Sequence, residues 1–173
     1  MVRLPFGFTL IELMITISVL AILITLGVPS FQDTLERHRL KAAIEQVYQD
    51  LQYARSEAIK RNQNITVQLK IPAGTDPWCY GLSDAGGCDC TASPGCAIDG
   101  DPKNTTAHDF RNIALDGFHT ADFNFAFDAH RGGGADRSIR LNSASGYETQ
   151  VVVSALGRVR LCSDDDVMGY PSC

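Results

Sequence analysis

The stretch GFTLIELM, residues 7–14, opens an apolar run that continues to residue 28 as FTLIELMITISVLAILITLGV. Glu12 is the one charged residue in those 21. A run of that length spans the roughly 30 Å hydrocarbon core of a bilayer as a helix. A carboxylate inside it costs roughly 2.5–3.5 kcal/mol on insertion scales, so Glu12 asks for a functional reason. Ahead of the run stand MVRLPFG, with a single positive charge at Arg3. Arg3 places the N-terminus in the cytoplasm by the positive-inside rule, while the basic cluster from Arg37 to Lys41 argues the other way. The sequence around Thr25, Gly27 and Ser30 imitates a signal-peptidase site, which keeps open a secreted domain with a removed signal.

Beyond Pro29 the pattern turns amphipathic. Leu40, Ile44, Val47, Leu51, Ala54 and Ala58 recur every three or four residues, one stripe of a helix that ends near Arg61 and Asn62. Gly27, Pro29 and Ser30 join the two segments, and the proline predicts a kink or local melting there. The stripe needs a cover. ITVQLKI (65–71) alternates as a strand, and further strands are expected at 78–82, 121–127, 138–141 and 147–154. The last is expected to continue through 158–162 after a bend at Gly157, and residues 83–109 read as a long irregular loop. One antiparallel sheet packed on the amphipathic helix gives an α+β fold.

The chain of 173 residues carries a net charge of −5, which argues against a protein that coats nucleic acid with its whole surface. Its six cysteines, Cys79, Cys88, Cys90, Cys96, Cys162 and Cys173, all follow the apolar run. They fit a single span with the bulk of the chain in an oxidising compartment. A Cys162–Cys173 bridge would staple the tail to the last strand. Cys79 pairs with Cys88 or Cys90, and Cys96 with the other, because an adjacent Cys88–Cys90 bridge is strained. The rival is a four-thiolate zinc site, but the spacing lacks paired CxxC knuckles.

Gly7 followed by Phe8, Thr9, Leu10, Ile11 and Glu12 resembles the processing site of type IV pilins and type II secretion pseudopilins. LQYARSEAIKRNQNITV, FNFAFDAHRGG and VVVSALGRVRLC resemble the GspH/FimT/FimU group of minor pilins. The resemblance implies the type IV pilin fold, a long N-terminal helix packed on a β-rich head, divided as leader 1–7, membrane and assembly half 8–28, amphipathic half 29–62 and head 63–173. It implies cleavage after Gly7 by a prepilin peptidase, methylation of the new Phe8 amine, and use of Glu12 in assembly with other major and minor pilins. An amine and a carboxylate on neighbouring subunits attract strongly in low dielectric and are less costly paired than alone. The cysteine-rich loop is outside the recognised pattern.

GRVR, residues 157–160, is the second informative motif. On a strand Arg158 and Arg160 point the same way, about 7 Å apart, close to the spacing of successive phosphates along one DNA strand. Arginine grips phosphate with a bidentate fork. The motif resembles that of FimT-type pilins, which bind double-stranded DNA during uptake in natural transformation. Gly157, Arg158, Arg160 and Arg140 are the candidate contacts, with Arg131 and Arg137 extending the face. Against this, Asp164, Asp165 and Asp166 lie just downstream.

Enzyme chemistry finds no support. His38, His108, His119 and His130 lack metal-ligand spacing, Ser143 to Gly146 form a turn without the G-x-S-x-G frame, and Gly132 to Gly134 lack the lysine of a phosphate loop. No metal or cofactor is expected. The reading is a minor type IV pilin, single-pass in the inner membrane with a periplasmic head, then part of an extracellular pilus at its tip or priming complex, binding DNA. The alternatives are an assembly-only, FimU-like tip subunit and a GspH-like pseudopilin of type II secretion.

Overall fold

The structure is a computed structural model that describes residues 8–71, 77–93, 95–115, 122–164 and 169–173. The chain forms two compact units, Met1–Leu35 and Glu36–Cys173. One helix, α1 (Leu10–Arg61), contributes to both.

In the first unit the helix is apolar around its circumference. Leu10, Leu13, Ile17, Leu20 and Ile24 all lie more than half exposed among the described residues. The segment is long and apolar enough to cross a membrane. The helix continues without a break through Gly27 and Pro29, where the sequence predicts a kink or local melting.

The second unit begins where α1 becomes amphipathic. Leu40, Ala43, Ile44, Val47, Leu51, Ala54 and Ala58 are buried in one stripe. Fully burying each larger side chain contributes about 1.5–3 kcal/mol. The helix stops at Asn62, which takes a left-handed φ of 52°, as asparagine tolerates at a helix end. The Gln63 amide then donates back to the Ala58 carbonyl at 3.2 Å.

The cover is two sheets, where the sequence predicts one. The strands are β1 (Ile65–Lys70), β2 (Cys79–Ser83), β3 (Ala97–Ile98), β4 (Asp101–Pro102), β5 (Asn104–Thr106), β6 (Ile113–Leu115), β7 (Phe123–Phe127), β8 (Arg137–Ser143), β9 (Glu148–Val153) and β10 (Val159–Cys162). One antiparallel sheet has the order β5-β2-β1-β7, the other β10-β9-β8-β6, and β3 pairs with β4 in a small hairpin. Val67 lies opposite Leu82 and Phe125 in the first sheet. Ile139 lies opposite Val151, and Val151 opposite Leu161, in the second. Trp78 joins the two by donating its indole N–H to the Ile113 carbonyl at 2.8 Å. All these apolar side chains share one core with the helix stripe.

Residues 83–109, expected to be irregular, hold β3, β4, β5 and a 3-10 turn at Ala107–Asp109. These strands have two or three residues each, too short to show a period. The β7 expectation from residue 121 begins outside the described residues, which resume at Asp122. The segment 158–162 does not extend β9; the chain reverses and β10 pairs back on it, Arg160 opposite Val152.

Every residue of β2 is buried. Tyr80 and Leu82 face the core. Cys79, Gly81 and Ser83 face the other way, beneath the cysteine-rich loop. Of the two pairings open in the sequence, the structure has Cys79–Cys90 and Cys88–Cys96. Asn104 pins the loop by accepting the Cys96 amide at 2.8 Å, and a Cβ on Gly81 would lie 2.4 Å from Cys96 Sγ. The loop is a third layer over the first sheet.

Candidate functional site: the helix start and the GRVR face

Gly7 lies outside the described residues, and Phe8 is exposed. Glu12 is engaged with its own chain. Its carboxylate accepts from the Thr9 amide at 3.3 Å and from the Thr9 hydroxyl at 3.1 Å. The Thr9 hydroxyl oxygen accepts the Glu12 amide at 3.2 Å. This is a reciprocal capping box, with Thr9 as the N-cap and Glu12 three residues on. The T-x-x-E signature is plain in the sequence, and the reading of Glu12 as an isolated charge overlooks it. In the single chain the carboxylate is therefore hydrogen-bonded.

The second site is built around the turn between β9 and β10. Gly157 has a φ of +73°, and a Cβ there would meet the Gly132 carbonyl oxygen at 1.7 Å. Its amide donates to the Ser154 carbonyl at 2.8 Å, and the Ser154 amide to the Arg158 carbonyl at 3.0 Å. The Ser154 hydroxyl accepts the Arg158 amide at 3.1 Å. Arg55, on α1, donates to the Gly132 carbonyl at 3.2 Å and to the Leu156 carbonyl at 3.5 Å. Gly157 thus shapes the turn and is buried; it offers no surface to a ligand. Arg55 and Gly132 are the residues that sequence reasoning misses, since their partners lie far away along the chain.

From this turn Arg158 and Arg160 project to one face, with Val159 buried between them. Among the described residues, neither guanidinium makes a hydrogen bond or an ion pair. Together with Asp136, Val152, Ser154 and Leu156 they line a shallow groove of about 390 Å³. Asp136 is the one acid in it among the described residues.

The other arginines sort by strand parity. Arg140 is on the same face as Arg160, since both alternate with core residues. It is about a quarter exposed and its Nη1 lies 3.6 Å from Glu148. Arg137 shares the side of Ile139 and Leu141 and sits opposite Val153. It is therefore on the opposite face from Arg140 and Arg160, and the expected extension through Arg137 fails: three residues along a strand reverse the side chain. Arg131 sits in the loop after β7, where its amide donates to Asp128 at 3.1 Å. Asp164 is exposed at the end of β10; Asp165 and Asp166 lie outside the described residues.

Cys162 and Cys173 are bridged. The bridge holds a tail that also bonds to α1, where the Tyr170 hydroxyl donates to Glu45 at 3.0 Å. Burial and the Glu45 carboxylate push the Tyr170 phenol up. All six cysteines are in disulfides, so the thiolates a zinc site requires are engaged elsewhere. Among the described residues, no cluster of His, Cys, Asp or Glu is placed to hold a metal. Two carboxylates are held below their ordinary range by loop hydrogen bonds. The Thr91 hydroxyl and amide, with Lys70, hold Asp89 at about 2. The amides of Arg131, His130 and Gly133 hold Asp128 down, burial opposing them.

A long N-terminal helix whose second half packs on antiparallel sheets is the α+β architecture of type IV pilins and pseudopilins. The family profile described as "Type II transport protein GspH" matches residues 43–157, and the chain belongs to that family. A second profile, "Prokaryotic N-terminal methylation motif", matches residues 6–28. That motif implies processing by a prepilin peptidase and pilin-type partners. The fold is similar to that of the type IV minor pilin FimU of Pseudomonas aeruginosa, at 22% identity and a TM-score of 0.48, over 70% of this chain and 91% of that one. It is also similar to the minor pseudopilin EpsH of the Vibrio cholerae type 2 secretion system, at 18% identity and a TM-score of 0.48, over 72% and 97%. No curated protein sequence matches the chain.

Proposed function

We propose that the protein is a non-enzymatic minor pilin, anchored in the inner membrane by residues 8–28 with its head in the periplasm, and incorporated at or near the tip of a type IV pilus. Cleavage after Gly7 frees the Phe8 amine. Glu12 then exchanges its contact with Thr9 for the amine of a neighbouring subunit, which sets the register of assembly. The head binds double-stranded DNA through Arg158 and Arg160.

The observation that carries the DNA reading is the pair itself. Two arginines stand exposed on one side, Arg158 just before β10 and Arg160 within it, unpaired among the described residues and next to a turn braced from α1. Guanidinium pairs at strand spacing suit a phosphate backbone. The unit from Glu36 holds every buried residue of the described chain and all three disulfides, so residues 36–173 can be tested as a soluble head. Wild type is expected to retain duplex DNA at low salt and release it steeply as salt rises. The Arg158→Ala/Arg160→Ala head is expected to retain little; equal retention removes DNA from the reading.

The family's description, type II transport, is compatible with a second reading: a secretion pseudopilin acting on protein cargo. Assembly separates the two. A pilus reading requires the subunit in sheared surface pili, and its absence there together with a secretion defect on deletion supports the second.

A further inference from the structure

Leu156 stands beside the two arginines and has no role in the phosphate contact. It is 82% exposed. In the unit 36–173 the other exposed large hydrophobics among the described residues are Tyr53 and Ile59, at 37% and 48%. A single exposed leucine is ordinary on a protein surface. This one differs in what holds it. It occupies the tip of the β9–β10 turn, and every neighbour along the turn is tied down. The Ala155 carbonyl accepts the Gly134 amide at 3.3 Å and the Leu156 carbonyl accepts Arg55. Gly157 rests against the Gly132 carbonyl, and the Ser154 hydroxyl fixes the Arg158 amide. The backbone of the turn is hydrogen-bonded on both sides of Leu156 while the leucine side chain is left exposed.

The same groove therefore presents an apolar tip and two guanidinium groups carried on a braced backbone, with Leu156, Arg158 and Arg160 along its wall. Proteins that kink duplex DNA combine cations on the phosphates with an apolar wedge pushed between base pairs from the minor groove. The wedge must be held rigidly, because unstacking a base step costs several kcal/mol, and a mobile loop would yield before the stack does. Resting on the DNA reading above, we infer that Leu156 is a wedge that enters the minor groove and partly unstacks one base step while Arg158 and Arg160 hold the adjoining phosphates.

The inference carries a sequence preference of a definite sign. Pyrimidine–purine steps such as TA unstack easily, whereas A-tracts are stiff. An arginine reading the minor groove by its potential would prefer the narrow groove of the A-tract. A leucine wedge prefers the opposite, at identical base composition.

The experiment uses the head, residues 36–173, as wild type, Leu156→Ala, Leu156→Phe and Arg158→Ala/Arg160→Ala. The probes are two duplexes of equal A·T content, one with central TA steps and one with a central A-tract. Affinity is read by anisotropy, and unstacking by 2-aminopurine placed at the central step. Wild type is expected to bind the TA duplex more tightly and to raise the 2-aminopurine emission. Leu156→Ala, a change at an exposed position that leaves the melting temperature in place, is expected to bind the TA duplex roughly tenfold more weakly. It should also lose the preference and the emission rise, which Leu156→Phe restores. Arg158→Ala/Arg160→Ala is expected to lose both duplexes. If the arginine variant loses DNA while Leu156→Ala behaves as wild type, the wedge is wrong and the DNA reading stands. If the arginine variant binds as wild type, the DNA reading fails and the wedge falls with it.

Discussion

The Cα of Gly157 is pressed against the carbonyl of Gly132, so that a Cβ at residue 157 would lie 1.7 Å from that oxygen. The glycine of GRVR is there for its neighbour 25 positions earlier in the chain. The motif is thus a packing residue followed by two exposed cations.

Gly157→Ala is accordingly expected to destabilise the head. The left-handed φ of +73° alone costs an alanine roughly 1–2 kcal/mol, and the clash with backbone adds to it. Urea denaturation of residues 36–173 should show a loss of at least about 2 kcal/mol. Weakened DNA retention should accompany it, since the turn that aims Arg158 must move. Arg55→Ala removes two hydrogen bonds from the same turn without a clash, and a smaller loss is expected.

The arginines should not contribute equally. Arg158 and Arg160 are exposed and unpaired among the described residues, while Arg140 lies 3.6 Å from Glu148 and is mostly covered. Each phosphate contact adds about 0.9 to the slope of log K against log salt. Arg158→Ala and Arg160→Ala are each expected to lower that slope by roughly 0.9, and Arg140→Ala to leave it nearly unchanged. Salt titrations of DNA retention for the three single variants check the order.

Acid should weaken contacts in the loops and on α1 alike, where Arg61 and Lys60 hold the buried Glu57 carboxylate below its ordinary range. Asp89 titrates at about 2 in the folded chain against about 3.9 in an unfolded one, and Asp128 is shifted in the same direction. A depressed folded pKa gives stability that is fully present above the unfolded value and lost as pH falls through the folded one. Stability is therefore expected to be level above pH of about 5 and to fall between about 4 and 2. Asp89→Asn should lower the urea midpoint at pH 6 and flatten the acid limb. A curve for the variant that parallels wild type removes Asp89 from the account.

The helix was legible because its signals are local and repeated. The run from Phe8 to Val28 and the stripe from Leu40 to Ala58 each show their period in the sequence alone. Long strands such as β1 and β9 were legible for the same reason. β3, β4, β5 and β6 were not, because strands of two or three residues carry no period and pair through contacts set elsewhere. The division into two sheets was hidden as well, since β7 joins β1 across more than 50 residues. At the candidate site the exposure of Arg158 and Arg160 followed from alternation. The same parity rule, applied to Arg137 and Arg140, already forbids one face for both. What no local rule offers is the bracing of the turn by Arg55 and Gly132.

The cysteine-rich layer makes its own prediction, because Gly81 lies directly beneath Cys96. A Cβ on residue 81 would sit 2.4 Å from Cys96 Sγ and 2.9 Å from Asn104 Oδ1, the atom that accepts the Cys96 amide. β2 is the middle of a paired register, with β1 on one side and β5 on the other, so the strand cannot step aside. Gly81→Ala must therefore push Cys96 outward. The expected outcome is loss of the Cys88–Cys96 bridge with the Cys162–Cys173 bridge intact, because the latter lies on the other sheet. Alkylation under denaturing, non-reducing conditions followed by mass spectrometry should count two free thiols where wild type has none. A loop of this size contributes about 2.5 kcal/mol through the unfolded chain, so the urea midpoint should fall together with the bridge. A Gly81→Ala head that keeps all three bridges and its stability would show that the loop is not seated on β2.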